Sequence, residues 1–250
     1  MKTLLLIMTA FFSLSALNNV ALAKETAIMI RAKAVDAKFI GTSVGGVRVV
    51  IHDSETGELL DEGWIKGDTG STDTLIKTPI TRGENLSTES TAGYLAHLDI
   101  DTPKQVKITL FAPYAYRQSL QEASITTWVI PGEDMIGDGI IIKMPGFIVD
   151  GWTHVTDGGV VELFTKASLL CGCPITADGY WKASDYKVKA IIMQDDKVIN
   201  EIPLQFVGPM GLFSAKTTMK TSGFFKAIIY IIDNKTGNVG VDRTMFEINL

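Results

Sequence analysis

Apolar and polar residues alternate with a period of two along much of the chain. "EIPLQFV" places Ile202, Leu204 and Phe206 on one face, and "YKVKAII" sets Val188, Ala190 and Ile192 against Lys187 and Lys189. "KQVKITLF" alternates Val106, Ile108 and Leu110 with Lys107 and Thr109, and the C-terminus repeats the pattern through Thr244, Phe246, Ile248 and Leu250. "AIMIRAKA" and "GVRVVIHD" fit the same template. Such alternation buries one face of a strand and wets the other. Stripes of helical period are scarce after the first two dozen residues. Pro203 falls inside one strand pattern and predicts an edge strand, because proline donates no ladder hydrogen bond.

Turn signals separate these strands. Two of them match: "VIHDSETGELL", residues 50–60, and "YIIDNKTGNVG", residues 230–240. Each runs from an apolar strand through Asp, two polar residues and Thr-Gly. Aspartate bonds nearby backbone at a turn and glycine accepts positive φ, so both segments predict hairpins. The glycine-rich stretch "PGFIVDGWTHVTDGG", within residues 145–159, predicts a boundary. The expected architecture is all-β: two tandem antiparallel β-sandwiches, residues 24–150 and 151–250.

Two segments carry a family resemblance. "GVRVVIHDSETGELLDEGWIKGDTGSTDT" resembles the transthyretin-like or carboxypeptidase-regulatory-like sandwich, with its Val-rich strand, D-x-x-T-G turn and polar return. "GFFKAIIYIIDNKTGNVGVDRTMFEI" is similar to the last strands of bacterial Ig-like accessory domains. Together they span about a quarter of the chain. The resemblance implies sandwiches with accessory, adhesive or binding roles. It departs from the antibody pattern, in which two distant cysteines bridge the sheets around a tryptophan. No catalytic residue is carried over.

The N-terminus sets the compartment. Lys2, an apolar run from Leu4 to Leu17, and Ala21-x-Ala23 before Lys24 form the three parts of a signal peptide, residues 1–23. The residue after the predicted cut is Lys24 and not cysteine, so a lipoprotein signal is not indicated. No later run reaches the roughly 18 apolar residues of a spanning helix, so the mature chain is expected to have no transmembrane segment and to be periplasmic or secreted. The formal charge is −5 and no basic cluster appears, which argues against nucleic acid as a partner. The expected partner is another envelope protein.

Chemistry is concentrated in "LLCGCPI". Cys171 and Cys173 are the only cysteines. Three readings are open. The pair forms a local disulfide of small ring size, suited to exchange if strained and accessible. Or two thiolates make a soft half-site for Cu or Zn, completed by His154, Met193, Met210 or Met219. Or the segment is simply a tight structural turn before Pro174. The spacing matches neither haem attachment nor ordinary zinc knuckles.

Other signals are weaker. "GTSVG" matches G-x-S-x-G around Ser43, but a strand pattern follows where a hydrolase needs a helix. His52, His97 and His154 have no motif around them. The acidic turns with Asp68 and Asp73, and with Glu133, Asp134 and Asp138, lack the calcium-loop order. The sequence therefore points to an exported non-enzymatic binding or accessory protein without a required cofactor. The alternative is copper handling or thiol exchange at Cys171 and Cys173.

Overall fold

The alternating segments become strands, and side-chain periodicity decides which residues meet. The computed structural model describes residues 24–250; the signal-peptide segment lies outside the described residues. The strands of the first half are β1 (Lys24–Ala34), β2 (Val47–Asp53), β3 (Leu59–Ile65), β4 (Tyr94–Ile100), β5 (Lys104–Ala112), β6 (Gln121–Val129) and β7 (Met135–Met144). Those of the second half are β8 (Phe147–Thr156), β9 (Val160–Leu169), β10 (Lys187–Gln194), β11 (Lys197–Pro203), β12 (Gln205–Gly208), β13 (Leu212–Thr218), β14 (Gly223–Ile232) and β15 (Val239–Ile248). The chain is all-β and builds β-sandwiches, as the alternation predicts. No helix among the described residues is long and apolar enough to cross a membrane.

The first half forms sheets ordered β4-β1-β7 and β3-β2-β5-β6; the second forms β11-β10-β14-β15 and β12-β13-β9-β8. The inward residues follow the expected faces. Val47, Val49 and Ile51 of β2 and Val106, Ile108 and Leu110 of β5 are fully buried beneath Ile28, Ile30 and Ala32 of β1. In the second half Ala190 and Ile192 meet Phe225, Ala227, Ile229 and Ile231. One pairing is parallel: β1 runs alongside β7, with a register shift between Ile28 and Ile30. Alternation reports which face is buried and not which way a neighbour runs.

The "EIPLQFV" segment differs from a single strand. It breaks at Leu204: β11 ends at Pro203 on the edge of one sheet, and β12 begins at Gln205 on the edge of the other. The Leu204 amide still bonds the Val188 carbonyl at 2.9 Å, so the chain pivots there between layers. The stretch after Gly146 also differs from its turn-like composition, since residues 147–156 are strand β8 and only Pro145–Gly146 separates β7 from β8.

Both D-x-x-T-G segments close hairpins, β2–β3 and β14–β15, by the same bonds. Asp53 Oδ1 accepts the Glu55 amide at 2.8 Å, and Asp233 Oδ1 accepts the Lys235 amide at 2.8 Å. The Gly57 and Gly237 amides return to the carbonyls of Asp53 and Asp233, both at 2.9 Å. Those glycines sit at φ 76° and 77°, the left-handed region the turn requires. Asp53 gains a further partner in Lys104, 2.8 Å away. That ammonium, together with the Glu55 and Thr56 amides, holds its carboxyl down at about 2.

The halves meet along a polar and aromatic seam. Asn238, 1% exposed, donates to the Val35 carbonyl at 3.0 Å and accepts the Gly146 amide at 2.9 Å. Ser119 Oγ accepts the Val149 amide at 2.9 Å, and Gln118 donates to the Val149 carbonyl at 3.0 Å. Trp181 donates its indole N–H to the Asp36 carbonyl at 2.8 Å. Phe147, fully buried, packs edge-on to Tyr186 with ring centres 5.2 Å apart. The buried apolar side chains of both halves form one continuous cluster across this seam. Burial, and behind it the charges of Asp36 and Asp233, push the Tyr186 phenol up. Burial and Asp233 likewise raise the Asp36 carboxyl.

Candidate functional site

The cysteines lie on this seam. They occupy the turn after β9, where Gly172 at φ 77° lets the chain reverse. The Gly172 amide bonds the Leu169 carbonyl at 2.8 Å and the Leu169 amide bonds the Cys173 carbonyl at 3.1 Å. The pinch brings the Cα atoms of Cys171 and Cys173 to 5.3 Å, and a disulfide joins their sulfurs. Both residues are buried, at 2% and 5% exposure. A Cβ on Gly172 would stand 3.0 Å from the Val44 side chain of the other half, so the turn is pressed against its neighbour. Lys38, Ser43, Thr72 and Trp181 help line a shallow cleft of about 280 Å³ beside it.

The residues considered as additional metal ligands are not brought to this cleft. His154 lies on β8, exposed, opposite Glu162 on β9. Met193 lies on β10, in register with Lys226 of β14. Met210 is exposed in the turn between β12 and β13, and Met219 is buried beside Gly159. Among the described residues no group of three or more His, Cys, Asp or Glu side chains is arranged to hold a metal ion. Ser43 sits in the short 3₁₀ turn Thr42–Val44, not on a strand-to-helix elbow, and no histidine lines its cleft. The acidic-turn carboxylates bond backbone instead: Asp68 holds the Gly70 amide, Asp134 the Ala27 amide, and Asp138 the Leu86 and Ser87 amides.

A closed three-residue ring braces a turn and removes little freedom from the unfolded chain. Reduction, or paired Cys171→Ser and Cys173→Ser changes, should therefore cost only about 1–2 kcal/mol. Thermal melts with and without a phosphine reductant check this. A cooperative β-sheet transition should persist in both, a few degrees lower when reduced.

A second cavity lies over the outward face of β2 and β5. The inward alternation of β2 and β5 forces Arg48, Val50 and His52 outward on one strand and Lys107, Thr109 and Phe111 on the other. The register sets Arg48 opposite Phe111, Val50 opposite Thr109 and His52 opposite Lys107. Cross-strand neighbours at such spacing share one surface. The connection from Pro113 to Leu120 then folds back over the end of this face and returns as β6, adding Tyr114, Arg117, Leu120 and Glu122. The cleft so formed is open to solvent and has a volume of about 490 Å³.

The wall is fixed by backbone. The amides of Tyr114 and Ala115 bond the carbonyls of Gly46 and Val44, at 3.4 and 3.1 Å. Gly45, at φ 86°, permits that approach, because a Cβ there would fall on the Ala115 backbone. The 3₁₀ turn Arg117–Ser119 is pinned to the second half through Ser119 and Gln118. Trp64 packs edge-on to Tyr114, ring centres 4.5 Å apart. The Arg117 guanidinium lies 3.7 Å from the centre of the Tyr114 ring, a cation–π contact. Arg48 pairs with Glu62 at 3.0 Å. The guanidinium groups of Arg117 and Arg48 hold the Tyr114 phenol below its ordinary range.

This cleft was legible only in part. The outward rows on β2 and β5 are present in the alternation, where they read as a solvated face. What alternation does not report is the path of residues 113–120. A proline after an alternating strand, followed by Tyr, Arg and Leu, is the available signal that the face is covered.

No family model matches the chain. No curated protein matches it. Among solved structures, one crystal structure, of a DUF3823 family protein from Bacteroides uniformis ATCC 8492, aligns with 89% of this chain and 100% of its own. The identity is 11% and the TM-score 0.30, a likeness that carries no inference about family or activity.

Proposed function

We propose that the protein is an exported, non-enzymatic binding module that holds its ligand in the cleft over sheet β3-β2-β5-β6. The single observation behind this reading is the cleft itself: an open cleft of about 490 Å³ that combines an apolar floor with several polar groups. That mixture suits a ligand site, where apolar lining supplies affinity and a few placed polar groups supply orientation. Export rests on the leader pattern of residues 1–23, and residence in the periplasm or outside the cell follows from it. The accessory role fits the transthyretin-like and Ig-like resemblances of the two sequence segments. On this reading residues 24–150 form the ligand-binding unit, and residues 151–250 form a second sandwich that braces it and faces an envelope partner.

A protein-observed NMR screen of small fragments tests the site. Hits should shift the amides of residues 48–52 and 107–122 together. Hits that scatter over the surface, or that gather at the Cys171–Cys173 cleft, would remove the basis for the assignment.

A further inference from the structure

The cleft's charges narrow the ligand class. Four of its lining side chains, Arg48, His52, Lys107 and Arg117, are basic in type, and one, Glu122, is acidic. The whole chain carries a formal charge of −5, so this surface inverts the sign of the molecule around it. Arg48 is engaged by Glu62. Lys107 and Arg117 form no ion pair among the described residues. Both are exposed at the mouth. An anion entering the cleft is attracted by both.

The remaining lining is apolar or aromatic. Val50, Phe111 and Leu120 form the floor and Tyr114 stands at the wall. Tyr114 is held between the Trp64 ring and the Arg117 guanidinium, so its orientation is set before any ligand arrives. With the Arg117 guanidinium over the Tyr114 ring, the open apolar surface is the floor, where Phe111 suits a flat unsaturated ring.

Resting on the reading above, we propose that this cleft selects organic carboxylates carried on a flat ring, the carboxylate toward Lys107 and Arg117 and the ring against Phe111. An anion beside Arg117 also forms charge-assisted hydrogen bonds with its planar donor fork.

Benzoate, benzyl alcohol and benzamidinium share one ring and differ in charge. Titrated into the mature protein and followed by amide shifts, benzoate should bind at the Phe111, Tyr114 and Glu122 amides and weaken as salt rises. Benzyl alcohol should bind several-fold more weakly, and benzamidinium should leave those amides unmoved. Lys107→Gln and Arg117→Gln should each weaken benzoate by about three- to fivefold, the range of an exposed ion pair. Lys166→Gln on exposed β9 should leave benzoate binding unchanged. Thermal melts of the Lys107 and Lys166 variants should match the parent, and that of Arg117→Gln should fall only slightly with its lost cation–π contact, which separates lost binding from lost fold. If benzyl alcohol or benzamidinium shifts the cleft amides as strongly as benzoate does, the carboxylate assignment fails while the cleft remains the ligand site. If none of the three shifts them, the assignment of the cleft fails as well.

Discussion

Phe147→Ala should destabilise the protein by about 3–5 kcal/mol, the usual cost of removing a fully buried phenylalanine. Phe147 opens β8 immediately after the Pro145–Gly146 passage, with no exposed surface, and meets the Tyr186 ring edge-on. Its Cβ and carbonyl also press against Gly240 of β15, where an added methyl would stand 2.8 Å from each. The cavity left by alanine would therefore open between strands that cannot close toward one another without moving β15. Urea unfolding followed by far-UV circular dichroism measures the loss. Phe147→Leu keeps most of the volume and should cost clearly less. A loss under about 1 kcal/mol for the alanine variant, well below the range for core truncations, would mean the core is not continuous through this residue.

Asn238→Leu should be comparably severe, about 2–5 kcal/mol, because it strands one buried and one partly buried backbone group at about 1–3 kcal/mol each. The Gly146 amide loses its acceptor and the Val35 carbonyl loses its donor. Leucine nearly matches asparagine in size, so the effect isolates hydrogen bonding from volume. Asn238→Asp keeps an acceptor for Gly146 but sets a buried carboxylate against the Val35 carbonyl, and should be at least as severe as the leucine variant. Calorimetry distinguishes the outcomes further. With the seam weakened, the single transition expected of the parent should broaden or divide. A leucine variant that melts with the parent would show that the two bonds are replaced by water.

These two residues also mark where sequence reading succeeds and stops. Phe147 lies in a stretch whose glycines and threonines suggest a linker, yet it is core. The composition of residues 145–159 describes turn formers, whereas β8 is made by ten ladder partners on β9, which no local window contains. Asn238 follows the Thr-Gly of a hairpin that is legible from Asp233 onward. Its second role depends on Val35 and Gly146, distant in the chain. The strands themselves were readable because each has one wet face and one dry face. Val47, Val49 and Ile51 against Arg48, Val50 and His52 is the clearest case. The parallel partnership of β1 and β7 and the pivot at Leu204 were not readable, since alternation is blind to direction and to which sheet a strand joins. Of the candidate chemistry, the Cys171–Gly172–Cys173 turn stood out in the sequence, but its placement against Val44 did not. The Tyr114–Arg117 wall gave only the faint signal of a proline after a strand.

The segment from Pro113 to Leu120 has a double attachment with a practical consequence. One side of it shapes the space above Phe111, and the other is tied at Ser119 and Gln118 to the first strand beyond Gly146. The cleft is thus not a portable cassette. Grafting residues 24–144 onto a new scaffold would transplant the floor of the cavity and leave behind the anchor that keeps its rim upright.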